Sequence, residues 1–153
     1  MALELSTIGT KLFYKVEATA GTFPTSSYIE IANIVSISED NGEPEQIEVT
    51  NLVDTRHRSI PGLLGDNDVV SITANFTEAF KTAWATLVSA YQTGASSSKA
   101  TWFEMRLPGH TDSWYFAGIP SELGFPGAEV AQAQQITAYI TKNQSKGWAT
   151  SST

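Results

Sequence analysis

The chain has 153 residues, of which 41% are hydrophobic and 16% charged, with a net charge of -7 and no cysteine. That length suits one ordinary domain with a real core, and the aromatic content argues against a disordered chain. Without cysteine there can be no disulfide framework, no thiolate nucleophile and no cysteine metal site. The charge is unevenly placed: from Glu30 to Asp54 lie seven acids and no Lys or Arg, while the rest holds nine acids and nine bases. An acidic segment repels phosphate, which argues against a sequence reader or a histone-like binder of DNA.

In chain order, Met1 to Thr10 lacks a basic stretch and a continuous apolar run, so it is not expected to act as a secretory signal. No later run is long enough to span a membrane. Lys11 to Val16 is rich in β-formers and predicts a strand, and Thr19 to Ser27, rich in Gly, Thr, Pro and Ser, predicts a loop. Ile29, Ile31, Val35 and Ile37 alternate with Glu30, Ala32, Ser36 and Ser38. This period of two predicts one long half-buried strand over 28–39, with Asn33 breaking its apolar row.

Asn41-Gly42 suits a hairpin turn, and Gln46 to Thr50 repeats the alternation beyond it. From Val53 to Asp68 the sequence is irregular, with Pro61-Gly62 as breakers. The whole of 39–68 reads as a long hairpin loop carrying six of the seven clustered acids, plus Asp66 and Asp68. Self-repulsion and low hydrophobicity predict that it is mobile in a free subunit. Ile47, Val49 and the Ile60-Pro-Gly-Leu-Leu64 cluster nevertheless give it surface that a partner could bury.

Val70, Ile72, Ala74 and Phe76 form an apolar row against Ser71, Thr73 and Asn75, again a strand. The spacing of Phe80, Trp84, Leu87, Val88 and Tyr91 predicts a helix over 78–92, capped by Thr77, with Glu78 at its positive end and Gly94 placed to end it. Thr101 to Leu107 and Ser113 to Leu123 predict a hairpin around Pro108 to Asp112. A last strand is expected over 135–142, followed by a polar, frayed tail. The expected organisation is one β-domain over 1–144, a β-sandwich or rolled sheet with one flanking helix, and a polar tail over 145–153.

No catalytic chemistry is legible. His110, Asp112 and Ser113 sit within one turn and cannot supply the through-space geometry of a triad. His57, flanked by Arg56 and Arg58, favours no metal, and Asp66-Asn67-Asp68 lacks the glycine and the glutamate of a calcium loop. Neither an enzyme nor a cofactor nor a metal is expected. Trp102 and Trp114 could serve as platforms of a glycan-binding module, but both fall within strands, where aromatics usually pack.

The order of pieces resembles the major tail tube proteins of bacteriophages with a long non-contractile tail. The similarity is carried by Gly9-Thr-Lys-Leu-Phe-Tyr-Lys15, by the strand from Tyr28 to Ser38, and by Glu43-Pro-Glu-Gln-Ile-Glu-Val-Thr-Asn-Leu52 followed by Arg58-Ser-Ile-Pro-Gly62. The helix and the hairpin from Phe103-Glu-Met-Arg-Leu-Pro-Gly109 to Gly118-Ile-Pro-Ser-Glu-Leu-Gly124 complete it. Some relatives add an immunoglobulin-like domain after the tube domain; none is expected in these 153 residues.

The resemblance implies a structural virion protein that forms hexameric rings and stacks them into the conduit for DNA ejection. It implies assembly in the host cytoplasm with tape measure, tail tip or hub, and tail terminator proteins. DNA would pass without specific binding, and no membrane is involved. It also implies an acidic lumen, for which Glu30 and Glu48, opposite the apolar rows of their strands, are the candidates. The hairpin would reach the adjacent ring, with Glu43, Glu45, Ile47, Val49, Arg56, Arg58, Ile60, Leu63 and Leu64 as contact candidates. The alternative is the related tube of a bacterial secretion system, whose cargo is protein effectors.

Overall fold

A computed structural model of the chain describes residues 9–38, 44–64 and 69–152. The expected Asn41-Gly42 turn, Asp66 to Asp68, Glu43 and the N-terminal residues through Ile8 lie outside these described residues. Alternation of side chains decides most of what forms. Strand β1 (Lys11–Val16) buries Leu12 and Tyr14, and pairs on one side with β2 (Ile29–Ile31). Next in the chain come β3 (Ile34–Ser38), then β4 (Pro44–Glu48) and β5 (Ser59–Leu64), then β6 (Val69–Asn75), which buries Val70, Ile72 and Ala74. After helix α1 (Glu78–Ala95) follow β7 (Thr101–Arg106), β8 (Asp112–Pro120) and β9 (Gln135–Thr150). Seven strands make one sheet in the order β2-β1-β7-β8-β9-β6-β3, and every described pairing is antiparallel.

The expected single strand over 28–39 is two strands, and they stand at opposite edges of the sheet. Only Ala32 and Asn33 separate them, so the ends of β2 and β3 lie within about 11 Å of each other. The sheet must therefore roll until its edges meet. Asn33 turns the chain with φ of 66°, a left-handed conformation that Asn tolerates better than most residues. Its carbonyl accepts from the Asn75 N–H at 3.0 Å, and its amide Nδ2 donates to Thr77 Oγ1 at 3.2 Å. This corner is thus fastened to the start of the helix.

The helix covers the inside of the roll. Phe80, Trp84 and Leu87 are buried among Leu12, Ile31, Ile72, Phe103, Phe116, Ile136 and Ile140. Thr77 Oγ1 accepts from the Phe80 N–H at 3.1 Å, the expected N-cap. Gly94 does not end the helix, which continues through Ala95 with Ser96 as its C-cap. Its role is close approach, because a Cβ there would lie 2.7 Å from Val16 Cγ1 on β1. The fold class is as expected: mainly β, rolled, with one flanking helix.

Two further departures concern the C-terminal half. The strand expected to end at Lys142 runs on to Thr150, pairing with β8 from Pro120↔Ile140 to Asp112↔Thr150. Residues 143–150, part of the tail expected to fray, are held by this ladder, which shifts register at two places. The second face of the sheet is also covered, by the segment between β1 and β2: Phe23 packs edge-on against Trp102 and Tyr115, at 4.9 and 5.0 Å between ring centres. This is why β7 is buried on both faces from Thr101 to Glu104.

Candidate functional site

The second sheet is the hairpin β4–β5, whose strands pair with each other and with no other described strand. Ile47 stands opposite Ile60 and Glu48 opposite Ser59. Pro61, read as a breaker, sits inside β5 opposite Gln46. A two-stranded ribbon has an open outer edge on each strand, where a residue without an N–H is tolerated.

The connection between the strands is tied by its own polar groups. Thr50 Oγ1 accepts from the Arg58 N–H at 2.9 Å, Asp54 Oδ2 from the Asn51 N–H at 2.9 Å, and Asn51 Oδ1 from the Val53 N–H at 3.0 Å. Such a ribbon alone is marginally stable in water and needs a further surface to rest on. It has unspent apolar area: Ile47 and Ile60 are 46% and 48% exposed, Val49 is 37% exposed, and Leu52 and Val53 at the tip are almost wholly exposed.

Of the contact candidates, Glu45, Ile47, Val49, Arg56, Arg58 and Ile60 are all exposed on this hairpin. Leu63 and Leu64 end β5, and Glu43 lies outside the described residues. Arg58 Nη1 meets Asp54 Oδ1 of its own chain at 3.4 Å, and Glu48 Oε1 meets His57 Nδ1 at 2.8 Å. The nearest charged partner of His57 is therefore a carboxylate on the facing strand. Exposed pairs of this kind contribute about 0–1 kcal/mol and exchange partners readily. The lumen candidates do not share one sheet: Glu30 is exposed on β2 opposite Phe13, and Glu48 belongs to the hairpin.

The residues that could suggest chemistry are dispersed. His110 stacks on Trp148, while Ser113 Oγ is buried against Ser151 Oγ at 2.6 Å. Among the described residues no cluster of three His, Asp or Glu could hold a metal, and no helix is long and apolar enough to cross a membrane. Trp102 is buried and its Nε1 donates to Glu17 Oε1 at 2.9 Å, so it offers no platform. Trp114 packs against the core and edge-on to Trp148.

Sequence reasoning missed two buried carboxylates. Glu17 accepts from the Gly21 N–H, the Ala100 N–H and the Trp102 indole. Burial alone would raise its proton affinity; these three donors outweigh it and hold the carboxyl below its usual range. Glu104 is fully buried on β7 and accepts from Arg106 Nε at 2.8 Å, from Arg106 Nη2, and from the Ser152 N–H at 3.3 Å. Burial again acts upward, and the hydrogen bonds with the nearby Arg106 charge carry the carboxyl below its usual range.

A folded-state value lower than the unfolded one means that stabilisation is present above the unfolded carboxylate range. It is then lost as pH falls through the folded value. Stability is therefore expected to fall on acidification below about pH 4. Glu104→Gln should flatten that dependence when urea midpoints are measured across pH, and an unchanged slope would remove Glu104 from the explanation.

The sequence model of the family described as phage tail tube protein, TTP, matches residues 2–148. None of the curated proteins matches the chain in sequence. Among solved structures, the chain is similar to one in the anti-feeding prophage (AFP) baseplate, six-fold symmetrised, with a TM-score of 0.55 and 9% identity over 95% of this chain and 96% of that one. A chain of the phage p2 baseplate in its activated conformation with Sr matches with a TM-score of 0.47 and 9% identity, over 91% of this chain and 45% of that one. The first likeness is one of fold, spanning the rolled sheet and the helix together. With the family match running over nearly the whole length, the chain belongs to the phage tail tube protein family.

Proposed function

We propose that six copies of this chain close into a ring and that rings stack into the tail tube of a long-tailed phage, the conduit through which DNA is ejected. The observation that carries this reading is the hairpin: a ribbon that pairs with no other described strand and leaves Ile47, Val49 and Ile60 exposed. In a stacked tube the adjacent ring supplies the surface it lacks. Glu45, Arg56 and Arg58 then find partners across that contact, together with Glu43, Leu63 and Leu64. The anti-feeding prophage baseplate, which contains a chain of this fold, is described as six-fold symmetrised, and six is the copy number proposed here.

A conduit for DNA must repel phosphate weakly and hold none of it, because rows of Lys or Arg would retain the duplex through counterion release. The whole net charge of this chain sits between Glu30 and Asp54. Glu30 and Glu48, both exposed, are the groups proposed to face the bore. The proposed assembly partners are other tail components, namely the tape measure, tip or hub, and terminator proteins. The family match favours this reading over a secretion tube with protein cargo. Electron microscopy of the purified chain at high concentration should show stacked six-fold rings. A population that stays monomeric at every concentration, with or without tail partners, would refute the reading.

A further inference from the structure

Strands β1 and β2 are neighbours in the sheet, and about two to five residues suffice to join such an antiparallel pair. This chain uses residues 17–28 instead, and lays them across the face of the sheet that the helix does not cover. Between 18 and 27 only Phe23 and Pro24 are partly shielded from water, and the other residues are exposed. Among the described residues, no backbone hydrogen bond joins 18–27 to a strand; the Thr22 N–H donates to Thr19 O at 3.0 Å, within the segment itself.

Side chains hold the segment down at three points. At its start the Glu17 carboxylate accepts from the Gly21 N–H at 2.8 Å, which belongs to the segment. It also accepts from the Trp102 indole at 2.9 Å and the Ala100 N–H at 3.3 Å, which belong to the body beneath. In the middle Phe23 stands edge-on to Trp102 and Tyr115, with Lys146 Nζ of β9 4.8 Å from its ring centre. At the far end Tyr28 Oη donates to Pro24 O at 2.8 Å and its ring tilts against Tyr115 at 5.8 Å. Ser27, with a left-handed φ of 64°, turns the chain back towards β2.

We infer that residues 18–27 are a lid that opens as one piece while the sheet and helix stay folded, with Glu17 as its latch. A segment opens locally when it shares little with the body beneath it, having few buried apolar contacts and no ladder of backbone bonds. The lid meets both conditions, since one phenylalanine ring and one carboxylate hold most of its length. The strands on either side do not depend on it. Leu12 of β1 and Ile31 of β2 stand opposite each other and belong to the main core beneath the helix. Opening therefore bares the Trp102 and Tyr115 rings, both buried in the closed form, without unfolding the domain.

Hydrogen exchange on the purified chain, followed by NMR, reads the lid at two protons that Glu17 holds, the Gly21 amide and the Trp102 indole N–H. Both should be protected at least about tenfold less than the amide of Phe103 in the buried sheet, and should respond little to sub-denaturing urea. Glu17→Gln should speed both by about tenfold, because an amide presents its oxygen to one side only. Phe23→Ala leaves the donors to Glu17 in place, yet should speed the Gly21 amide together with the Trp102 indole, since the lid moves as a unit. Protection of both protons equal to that of Phe103 would mean that the segment leaves only when the whole domain unfolds, and it would overturn the inference. A Phe23→Ala chain in which the Trp102 proton alone speeds up would overturn it too, as would a Glu17→Gln chain with both rates unchanged.

Discussion

Deletion of residues 43–62 is expected to leave a folded rolled sheet that no longer polymerises. The hairpin is an insertion between two strands that are already neighbours: β3 and β6 run antiparallel, with Ile37 opposite Ile72 and Ser38 opposite Ser71. The residues left between Ser38 and Val69 are ample for a turn between adjacent antiparallel strands. Among the described side chains, none of β4 or β5 belongs to either buried cluster, so the deletion removes none of the described core. The circular dichroism spectrum and melting temperature should therefore stay close to those of the parent.

Assembly is another matter. If Ile47, Val49 and Ile60 are the surface that the next ring buries, removing them takes away the apolar centre of the contact. The shortened chain should remain monomeric at concentrations where the parent forms tubes. Hydrogen exchange on the intact chain gives a second readout: residues 44–64 should exchange fast in monomers and slowly in tubes. Normal tubes from the deleted chain would defeat the assignment.

The parts of this fold that were legible in the sequence are those set by local period. Val70, Ile72 and Ala74 declare one face of β6, and the stripe from Phe80 to Leu87 declares the helix, because burial there repeats at the spacing of the element itself. The division of 28–39 into β2 and β3 was not legible. The period of two continues across Asn33, and nothing local says that the two halves pair with β1 and β6 at opposite edges. In β5, Pro61-Gly62 outweighs the β-forming residues in any local reading, although an edge tolerates the proline. Four consecutive polar residues, Asn143 to Lys146, hid the continuation of β9, whose partner β8 lies far back in the chain.

The same distinction governs the site. The exposed row of Ile47 and Val49 could be read from alternation. The carboxylates of Glu17 and Glu104 could not, because beside the near donors Gly21 and Arg106 the groups that complete their burial come from 85 and 48 residues away, in Trp102 and Ser152.

Replacing Trp84 by alanine is expected to cost about 3–5 kcal/mol, the range for emptying a large aromatic site in a core. Trp84 is the largest fully buried side chain of the molecule's described part, tilted against Phe80 at 5.9 Å between ring centres and packed beneath the rolled sheet. It does two jobs: its ring fills the space between helix and sheet, and its Nε1 holds the Ser121 carbonyl at 2.7 Å. Trp84→Phe separates them, keeping most of the apolar contact while removing the hydrogen bond, and should cost about 1 kcal/mol from that bond and a smaller void besides. For a domain of this size each kcal/mol lowers the melting temperature by roughly 2–4 °C, so Trp84→Ala should melt on the order of 10 °C below the parent. Set against a typical total of about 5–15 kcal/mol, that loss is enough to deplete soluble protein in cells. A Trp84→Ala chain that melts with the parent yet fails to assemble would mean that this side chain acts at a subunit contact, and the helix would have to be reassigned from core element to interface.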